Sequence, residues 1–379
     1  MIISRLILKN WRNFNSVDIP LGNRVFILGQ NASGKSNFLD VFRFLRDMAK
    51  PGGGLQKAIQ DRGGFDKIRA LTAHSPLVEI EVHLASSSLD TTLWKYAIGI
   101  QPEKPDDSQS YLAYERVWQG NKLLIHRPNE DDQRDELRLT QSHLEQINAN
   151  AEFREISNLF QGVQYLHIIP QVLRYPETFF ASGISESPFG QLFLDKIGKT
   201  PEKIRRFRLK KIAECLKIAI PYFQDLVFLK DAIGRPHLQA LYEPSTDFCQ
   251  LENQFSDGTL RLIGLLWLLL ESDSVLLLEE PELSLNSSII RQLSSLLFKW
   301  QIKQNNQVII TTHSWDLLSD GGIGGEEVIL LIPSTTGTEC QLASDITEVR
   351  DLLEGGLSIA DAILPRTNPP ENYRLSLLK

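Results

Sequence analysis

Glycine, lysine and serine occur at the spacing of a phosphate-binding loop near the start of the sequence. Residues 29–36 read Gly-Gln-Asn-Ala-Ser-Gly-Lys-Ser and match G-x-x-x-x-G-K-[ST] at every fixed position. Such a loop surrounds phosphate oxygens with backbone N–H groups, and the helix that follows adds the positive end of its dipole. Lys35 would neutralise β- and γ-phosphate oxygens, while the Ser36 hydroxyl would hold Mg²⁺. The residues predicted to bind nucleotide here are Gly29, Asn31, Ser33, Gly34, Lys35, Ser36 and Asn37.

Two further motifs could complete a site for phosphoryl chemistry. The apolar run 275–278 ends in Glu279 and Glu280, which predicts that Glu279 holds the Mg²⁺ water shell and Glu280 orients or deprotonates the attacking water. The run Thr-Thr-His-Ser at 311–314 follows another predicted strand and would place His313 beside the γ-phosphate. The alternatives are a buried strand that ends in exposed acids and a packed or surface histidine.

The run Phe-Ser-Asp-Gly-Thr at 255–259 precedes a long apolar helix. Ser256 and Asp257 are residue types typical of a helix N-cap. The more specific hypothesis is that this helix start, with the Ser256 hydroxyl, binds the γ-phosphate of a nucleotide held by another copy of the protein.

The elements that must position these residues follow from the hydropathy pattern. Apolar alternation predicts strands at 2–8, 16–21 and 24–28, the last running directly into the loop, with a helix after it. Residues 77–127 are predicted to be rich in β-strands, and residues 128–136 to form a charged loop. Residues 140–220 are predicted to be mainly helical, with a strand near 163–170. The last predicted elements are strands at 225–230, 237–242, 275–278, 308–311, 327–332 and 339–343, and helices at 257–271, 284–303, 346–353 and 357–364.

Composition limits the class of protein. The chain has 379 residues, 42% of them hydrophobic and 23% charged, with a formal net charge of −7. This is ordinary globular composition for two or three lobes, and the acidic balance excludes general attraction to nucleic acid or anionic membrane. The longest apolar run, 262–270, is too short for a membrane span, and three cysteines show no pairing or metal-ligand spacing. We therefore expect a cytoplasmic protein without membrane contact.

The order of these motifs resembles the ABC-type head of the SMC, RecF and OLD-family ATPases. More narrowly, residues 9–14 (Lys-Asn-Trp-Arg-Asn-Phe), 29–37, 256–261, 279–282 and 311–314 resemble stand-alone bacterial AAA-family predicted ATPases. The resemblance implies an α/β P-loop NTPase of two lobes, with the nucleotide-binding lobe built from both ends of the chain. It divides the sequence into an N-terminal half of the head (1–127), a largely helical insertion (128–250) and a C-terminal half (251–379).

The resemblance also implies a role for individual residues and a homodimer that sandwiches two Mg²⁺–ATP molecules. Glu280 becomes the catalytic base, His313 a switch histidine, and Ser256 with Gly258 the contacts made across the dimer. Arg12 would touch nucleotide. A Q-loop glutamine, Gln171 or its rival Gln164, would join Ser36 and Glu279 at the metal.

Three departures from the family pattern stand out. Glu279 replaces the usual Asp, Asp257 stands where the ABC signature has Gly, and Asn286 replaces a D-loop Asp or His. No block of acidic Toprim motifs follows, so the nuclease that OLD proteins carry is not expected within this sequence.

The sequence leaves two leading functions. The first is an ATP hydrolase that drives or gates a partner, in DNA repair or anti-phage defence. The second is a non-turnover nucleotide-gated scaffold for a separate effector such as a Toprim-like nuclease or toxin. A P-loop kinase or GTPase is disfavoured, since the signature has no use in a kinase and no N-K-x-D guanine motif occurs.

One segment concentrates positive charge within this acidic chain. Residues 203–211 contain six basic residues in nine. They form either the solvated face of an amphipathic helix, docked through Ile204, Phe207, Ile212, Cys215 and Leu216, or a contact for the DNA or RNA backbone.

Overall fold

A computed structural model of the protein describes residues 1–368 apart from 74, 88–89, 103–108, 176–189, 191, 245–248, 273 and 305. The chain packs into two compact units. The first unit consists of Met1–Gln164, Asp273–Leu277 and Leu297–Lys379, and the second of Tyr165–Ser272 and Leu278–Leu296. The first unit therefore contains the phosphate-loop motif together with both ends of the described chain, as the family resemblance implied. The division into segments 1–127, 128–250 and 251–379 stays a prediction.

The strands in chain order are β1 Ile2–Trp11, β2 Phe14–Pro20, β3 Arg24–Gly29, β4 Val78–Ala85, β5 Trp94–Pro102, β6 Ser110–Gln119, β7 Lys122–Arg127, β8 Gln164–Leu166, β9 Phe223–Lys230, β10 Pro236–Tyr242, β11 Cys249–Leu251, β12 Leu276–Glu279, β13 Val308–Thr311, β14 Val328–Ser334 and β15 Gly337–Leu342. The described α-helices are α1 Lys35–Ala49, α2 Leu55–Gln60, α3 Phe65–Ile68, α4 Glu130–Arg134, α5 Arg154–Gln161, α6 Pro170–Arg174, α7 Phe193–Lys199, α8 Glu202–Ala219, α9 Asp257–Glu271, α10 Ser287–Gln304, α11 Trp315–Leu318, α12 Thr347–Glu354 and α13 Ile359–Ile363. None of the described helices is long and apolar enough to cross a membrane.

Three sheets organise the described chain. An antiparallel sheet of order β2-β1-β4-β5-β6-β7 lies within the first unit, and a three-stranded antiparallel sheet of order β11-β10-β9 lies within the second. The third sheet has the order β15-β14-β3-β13-β12-β8, in which β3 runs parallel to both β13 and β14. Every residue of β3 is buried, which is typical of a central parallel strand with both faces covered.

Helix α1, which follows the loop, is anchored in the first unit by aromatic side chains. Phe44 packs on Trp11 of β1 with ring centroids 5.2 Å apart, and Phe38 meets Phe14 of β2 edge-on at 6.1 Å. These large side chains are fully buried, so their removal from water fixes the helix and its N-terminal end against the sheet.

The prediction of a loop over 128–136 is wrong, because a short capped helix, α4, lies there. The Asn129 side chain accepts hydrogen bonds from the backbone N–H groups of Asp131 and Asp132, and the Asp132 carboxylate bonds back to the Asn129 N–H. The Arg127 guanidinium, 1% exposed, binds Asp132 at 2.8 Å and Glu115 at 3.1 Å. Composition predicted a solvated segment, whereas reciprocal capping and a buried partner for Asp132 order it.

A carboxyl group in this unit makes stability depend on pH. Burial raises the pKa of Glu145 to about 7, although backbone N–H groups of Ser142 and Leu55 donate to its oxygens. Because the pKa is higher in the folded than in the unfolded chain, the stabilising contribution is complete below about pH 4.3 and is lost as pH rises through about 7. We expect Glu145→Gln to gain stability relative to wild type between about pH 5 and pH 8, measured by urea unfolding. Glu152→Gln removes the same charge from an exposed residue close to Glu145 in the sequence, and is the control for the loss of a negative charge. A stability difference that stays constant with pH would contradict this assignment.

Candidate nucleotide-binding site

The phosphate-loop motif forms a tight turn between β3 and α1, and two glycines are required by its geometry. A Cβ on Gly29 would lie 2.5 Å from the Ser33 Oγ and 2.8 Å from the Leu331 carbonyl oxygen. Gly34 has a φ of 99°, in the left-handed region, and a Cβ there would collide with the side-chain amide of Asn13. The glycine spacing that the sequence revealed therefore reflects the close approach of neighbouring chain.

Polar groups of the loop are arranged for an anion. The Lys35 ammonium, on a residue only 8% exposed, donates to the carbonyl oxygens of Gly29 at 3.2 Å and Gln30 at 3.1 Å, so it is held over the loop. Ser33 is fully buried, and its hydroxyl has no hydrogen-bond partner among the described residues. A buried hydroxyl without a partner is costly unless a ligand satisfies it. The residues present therefore fit a phosphate group of a nucleotide.

Hydrogen bonds among the side chains of Asn13, Asn37 and Thr338 hold the loop in place, and we call these three side chains the brace. The Asn13 amide donates to the Ser33 carbonyl oxygen at 3.0 Å and to the Thr338 Oγ1 at 2.8 Å, and it accepts a hydrogen bond from Asn37 at 2.7 Å. The Thr338 hydroxyl donates to the same Ser33 oxygen at 2.9 Å. Sequence analysis assigned neither Asn13 nor Thr338 to the site. Asn13 lay inside the recognised run at 9–14, but nothing in the sequence pointed to Thr338, a residue of β15.

We expect Asn13→Ala to weaken ATP binding by about tenfold, because three hydrogen bonds that hold the loop are lost. Asn15→Ala is the matched control, since Asn15 bonds Thr72 and the Thr336 backbone instead of the loop. Fluorescent-nucleotide titration would measure both dissociation constants. Equal affinities for the two variants would show that the brace does not organise the loop.

Arg12, predicted to touch nucleotide, lies in an ion-pair cluster around Asp40 of α1. Its guanidinium donates to Asp40 at 2.6 Å, and Arg62 donates to the same carboxylate through Nε and Nη2, each at 2.9 Å. Burial would raise the pKa of Asp40, but Arg62, assisted by Arg12 and Arg43, holds it below its ordinary value. Asp40 is thus a persistent anion that positions Arg12 beside the helix after the loop, and its contact with nucleotide stays a prediction.

His313 leaves the sheet at the same edge as the loop. Strand β13 pairs in parallel with β3, with Thr311 opposite Ile27, so His313 follows the carboxyl end of β13 as the loop follows that of β3. The side chain is exposed, whereas Thr311 and Thr312 are buried. Ser314 then caps α11 by accepting from the Leu317 N–H at 3.2 Å.

The paired acids belong to the second unit. The Tyr165 hydroxyl donates to the Glu279 carboxylate at 2.5 Å, an interaction that no sequence spacing indicated. Glu280 has a φ of 44°, an uncommon left-handed conformation for a residue with a side chain. It begins a turn in which its carbonyl oxygen accepts from the Leu283 N–H at 3.2 Å. Strained conformations of this kind cluster at functional sites, which makes Glu280 a candidate for one.

The signature motif, also in the second unit, starts helix α9. Ser256 is its N-cap and accepts from the Thr259 N–H at 3.1 Å. A Cβ on Gly258 would collide with the Ser284 carbonyl oxygen, so the glycine allows the turn after the acids to approach the helix start. Asp257, the departure from the ABC signature, forms an ion pair with Arg174 at 2.6 Å. This pairing gives the unusual aspartate a structural partner, which no local spacing could indicate because the two residues lie far apart in the sequence.

The two glutamine candidates differ in environment. Gln171 is exposed on α6 of the second unit, whereas Gln164 lies in the first unit and its side-chain oxygen is buried with no hydrogen-bond partner among the described residues. The described part of the chain holds no group of three or more His, Cys, Asp or Glu suited to a metal. The proposed Mg²⁺ residues Ser36, Glu279 and Gln171 come from both units, and their joint use stays a prediction.

A central β3 in a partly parallel sheet, followed by this loop and helix, defines a P-loop ATPase fold of the ABC type. Solved structures support the same fold. The head domain of Smc bound to the C-terminal winged-helix domain of ScpA has 15% identity and a TM-score of 0.53, with 90% of this chain and 98% of that chain covered. The Smc heads from Pyrococcus furiosus and Pyrococcus yayanosii have 13% and 11% identity and TM-scores of 0.50, with 93% of this chain and 99% of each of theirs covered.

A family model, "AAA domain, putative AbiEii toxin, Type IV TA system", matches residues 24–320. The chain belongs to this family. A curated relative, the endonuclease GajA of Bacillus cereus (strain VD045), is 49% identical over 47 residues, which are 12% of this chain and 8% of that protein. The match thus spans a small part of this relative. Family and fold together support a nucleotide-binding ATPase.

Proposed function

We propose that this protein hydrolyses ATP as a head-to-head homodimer formed on Mg²⁺–ATP, and that each turnover drives or gates a separate partner protein. The observation that carries the proposal is the braced loop, in which Lys35 is held over the turn and the buried Ser33 hydroxyl has no partner among the described residues. This arrangement fits nucleotide phosphates and agrees with the ATPase family to which the chain belongs.

In the proposed mechanism the residues of the chain bind ATP, orient it and accept a proton. The loop N–H groups and Lys35 hold the β- and γ-phosphates. Ser36, Glu279 and Gln171 would hold Mg²⁺, which would supply positive charge to the phosphate oxygens. Water attacks the γ-phosphorus, the bond to the β–γ bridging oxygen breaks, and Glu280 takes the proton of the water. His313 orients the γ-phosphate, while Tyr165 keeps the Glu279 carboxylate in place through its hydrogen bond.

The dimer part of the proposal is tested with two variants that are inactive alone. Lys35→Ala removes phosphate binding in its own protomer, and Ser256→Glu places a negative charge where the signature would meet the γ-phosphate of the partner. A mixed dimer restores one intact site, with Lys35 from one protomer and Ser256 from the other. We expect an equimolar mixture to recover about a quarter of wild-type turnover, since half the dimers are mixed and each has one of two sites.

The control is a mixture of Lys35→Ala with the double variant that carries both changes, in which no intact site can form. Hydrolysis by the first mixture no greater than by the control would contradict a shared site.

The rival function is a nucleotide-gated scaffold that binds ATP without turnover and serves a separate effector, such as a Toprim-like nuclease or a toxin. The short match to an endonuclease motivates the choice of a nuclease as one candidate effector. The two functions differ in one observable, because only the hydrolase releases phosphate in steady state. The hydrolase proposal includes a role in DNA repair or anti-phage defence.

A further inference from the structure

The basic segment 203–211 lies on an amphipathic helix, as one hypothesis predicted, and of the five residues predicted to dock Ile212 and Leu216 are buried. It forms the first half of helix α8 in the second unit, and the buried face of α8 consists of Leu209, Ile212, Ala213 and Leu216. Ile204, Phe207 and Cys215, which were predicted to dock, are exposed, with Phe207 at 59%. The reason is periodicity, since these three positions fall outside the buried stripe of the helix, with Phe207 nearly opposite to it.

A row of positive charge runs along one side of α8. Lys203, Arg206, Lys210 and Lys217 recur at spacings of three, four and seven residues, so they share one side of the helix. Arg206 pairs with Glu202 at 2.6 Å. Among the residues that the structure describes, Lys203, Lys210 and Lys217 form no salt bridge.

This row borders a groove of about 960 Å³ that lies between α8 and strand β9. Arg206, Phe207, Lys210 and Lys217 line one wall. The other wall contains the five consecutive residues 224–228 of β9. Leu241 of β10 completes this wall. Consecutive strand residues point to opposite faces of a sheet, so a wall to which all five contribute includes the backbone of β9.

Strand β9 is an edge strand within the described chain, because the sheet order β11-β10-β9 gives it a single partner. The Leu226 N–H donates to the Asp225 carboxylate at 2.8 Å, so an added strand would take the place of the Asp225 side chain at this N–H. The N–H and C=O of a strand residue point to the same side, so the outer edge alternates donors with acceptors. Such an edge is suited to pairing with another extended chain.

We propose that this groove binds an extended acidic segment of a partner protein, which adds as a strand to β9 and places its carboxylates along Lys210 and Lys217. Phe207 supplies an exposed apolar contact beside the row. Alternating backbone donors and acceptors favour a peptide over nucleic acid, because phosphate oxygens can only accept hydrogen bonds.

Selection from a library of random peptides of 8 residues, the length of β9, tests the proposal on the full chain. We expect the selected peptides to be rich in Asp and Glu at alternate positions, and to bind Lys210→Glu/Lys217→Glu about tenfold more weakly than wild type. Lys57→Glu/Lys67→Glu, an equal charge reversal in the first unit, is the control and should bind normally.

Methylation of alternate backbone nitrogens in the best peptide separates strand pairing from charge attraction. We expect binding to fall sharply, since the methylated peptide keeps its carboxylates but loses backbone donors. Selection of peptides without acid enrichment, equal binding by the charge-reversed variant, or unchanged binding after methylation would each overturn the proposal. Tighter binding of a single-stranded DNA or RNA oligonucleotide, lost in the same variant, would assign the groove to nucleic acid instead. Thermal melting of each variant confirms that it is folded.

Discussion

Glu280→Gln is expected to lower the turnover number for ATP by about 10²- to 10⁴-fold, the usual contribution of a general base. Glutamine has nearly the same shape but cannot take the proton of the attacking water. ATP binding should persist, because the phosphate loop of the first unit is unchanged. Steady-state phosphate release, with nucleotide affinity measured on the same samples, checks both expectations.

The control for this variant is Glu282→Gln, two residues along the same turn, which removes an equal charge and should retain most of the turnover. Similar losses in both variants would show that local charge or folding, and not the base, is responsible. Turnover that survives in Glu280→Gln would remove Glu280 from the mechanism.

Gly34→Ala is expected to weaken ATP binding by about 100-fold. The φ of 99° at Gly34 is costly for any residue with a Cβ, and this Cβ would collide with the Asn13 amide that braces the loop. The change therefore strains the turn and breaks its support at once. Titration with a fluorescent ATP analogue measures the loss directly.

Gly52→Ala is the matched control for backbone strain. Gly52 also has a positive φ, 72°, but nothing lies within 4 Å of the position its Cβ would occupy. We expect this variant to lose about 1 kcal/mol of stability and to bind ATP normally. Equal losses of affinity in both variants would mean that backbone strain anywhere near α1 is enough to weaken ATP binding. The loop would then have no special requirement for Gly34.

The motifs that depend on fixed local spacing were predictable. The loop at 29–36 and strand β13 at Val308–Thr311 fall where the sequence placed them, because glycine spacing and short apolar runs determine local backbone structure. Helix α9 begins and ends at the predicted residues for the same reason, since its N-cap and apolar run are contiguous.

The partners that hold these motifs were not predictable from spacing. The hydrogen bond from Asn13 to Thr338 joins residues 325 positions apart, and the bond from Tyr165 to Glu279 joins residues 114 apart. Asparagine, threonine and tyrosine are common, and a single sequence offers no signal that pairs such distant side chains. The buried face of helix α8 was also only partly predictable from the sequence. Its apolar residues suggested a single face, whereas Phe207 is exposed and Leu209 is buried on different sides of the helix.

The most direct test of the proposed function records ATP hydrolysis and molecular mass together, for wild type and Glu280→Gln in Mg²⁺–ATP. We predict steady phosphate release by wild type, and for the variant a stable ATP-bound dimer that releases almost none. If wild type binds ATP but releases no phosphate above the level of the variant, the hydrolase proposal is contradicted and the nucleotide-gated scaffold replaces it.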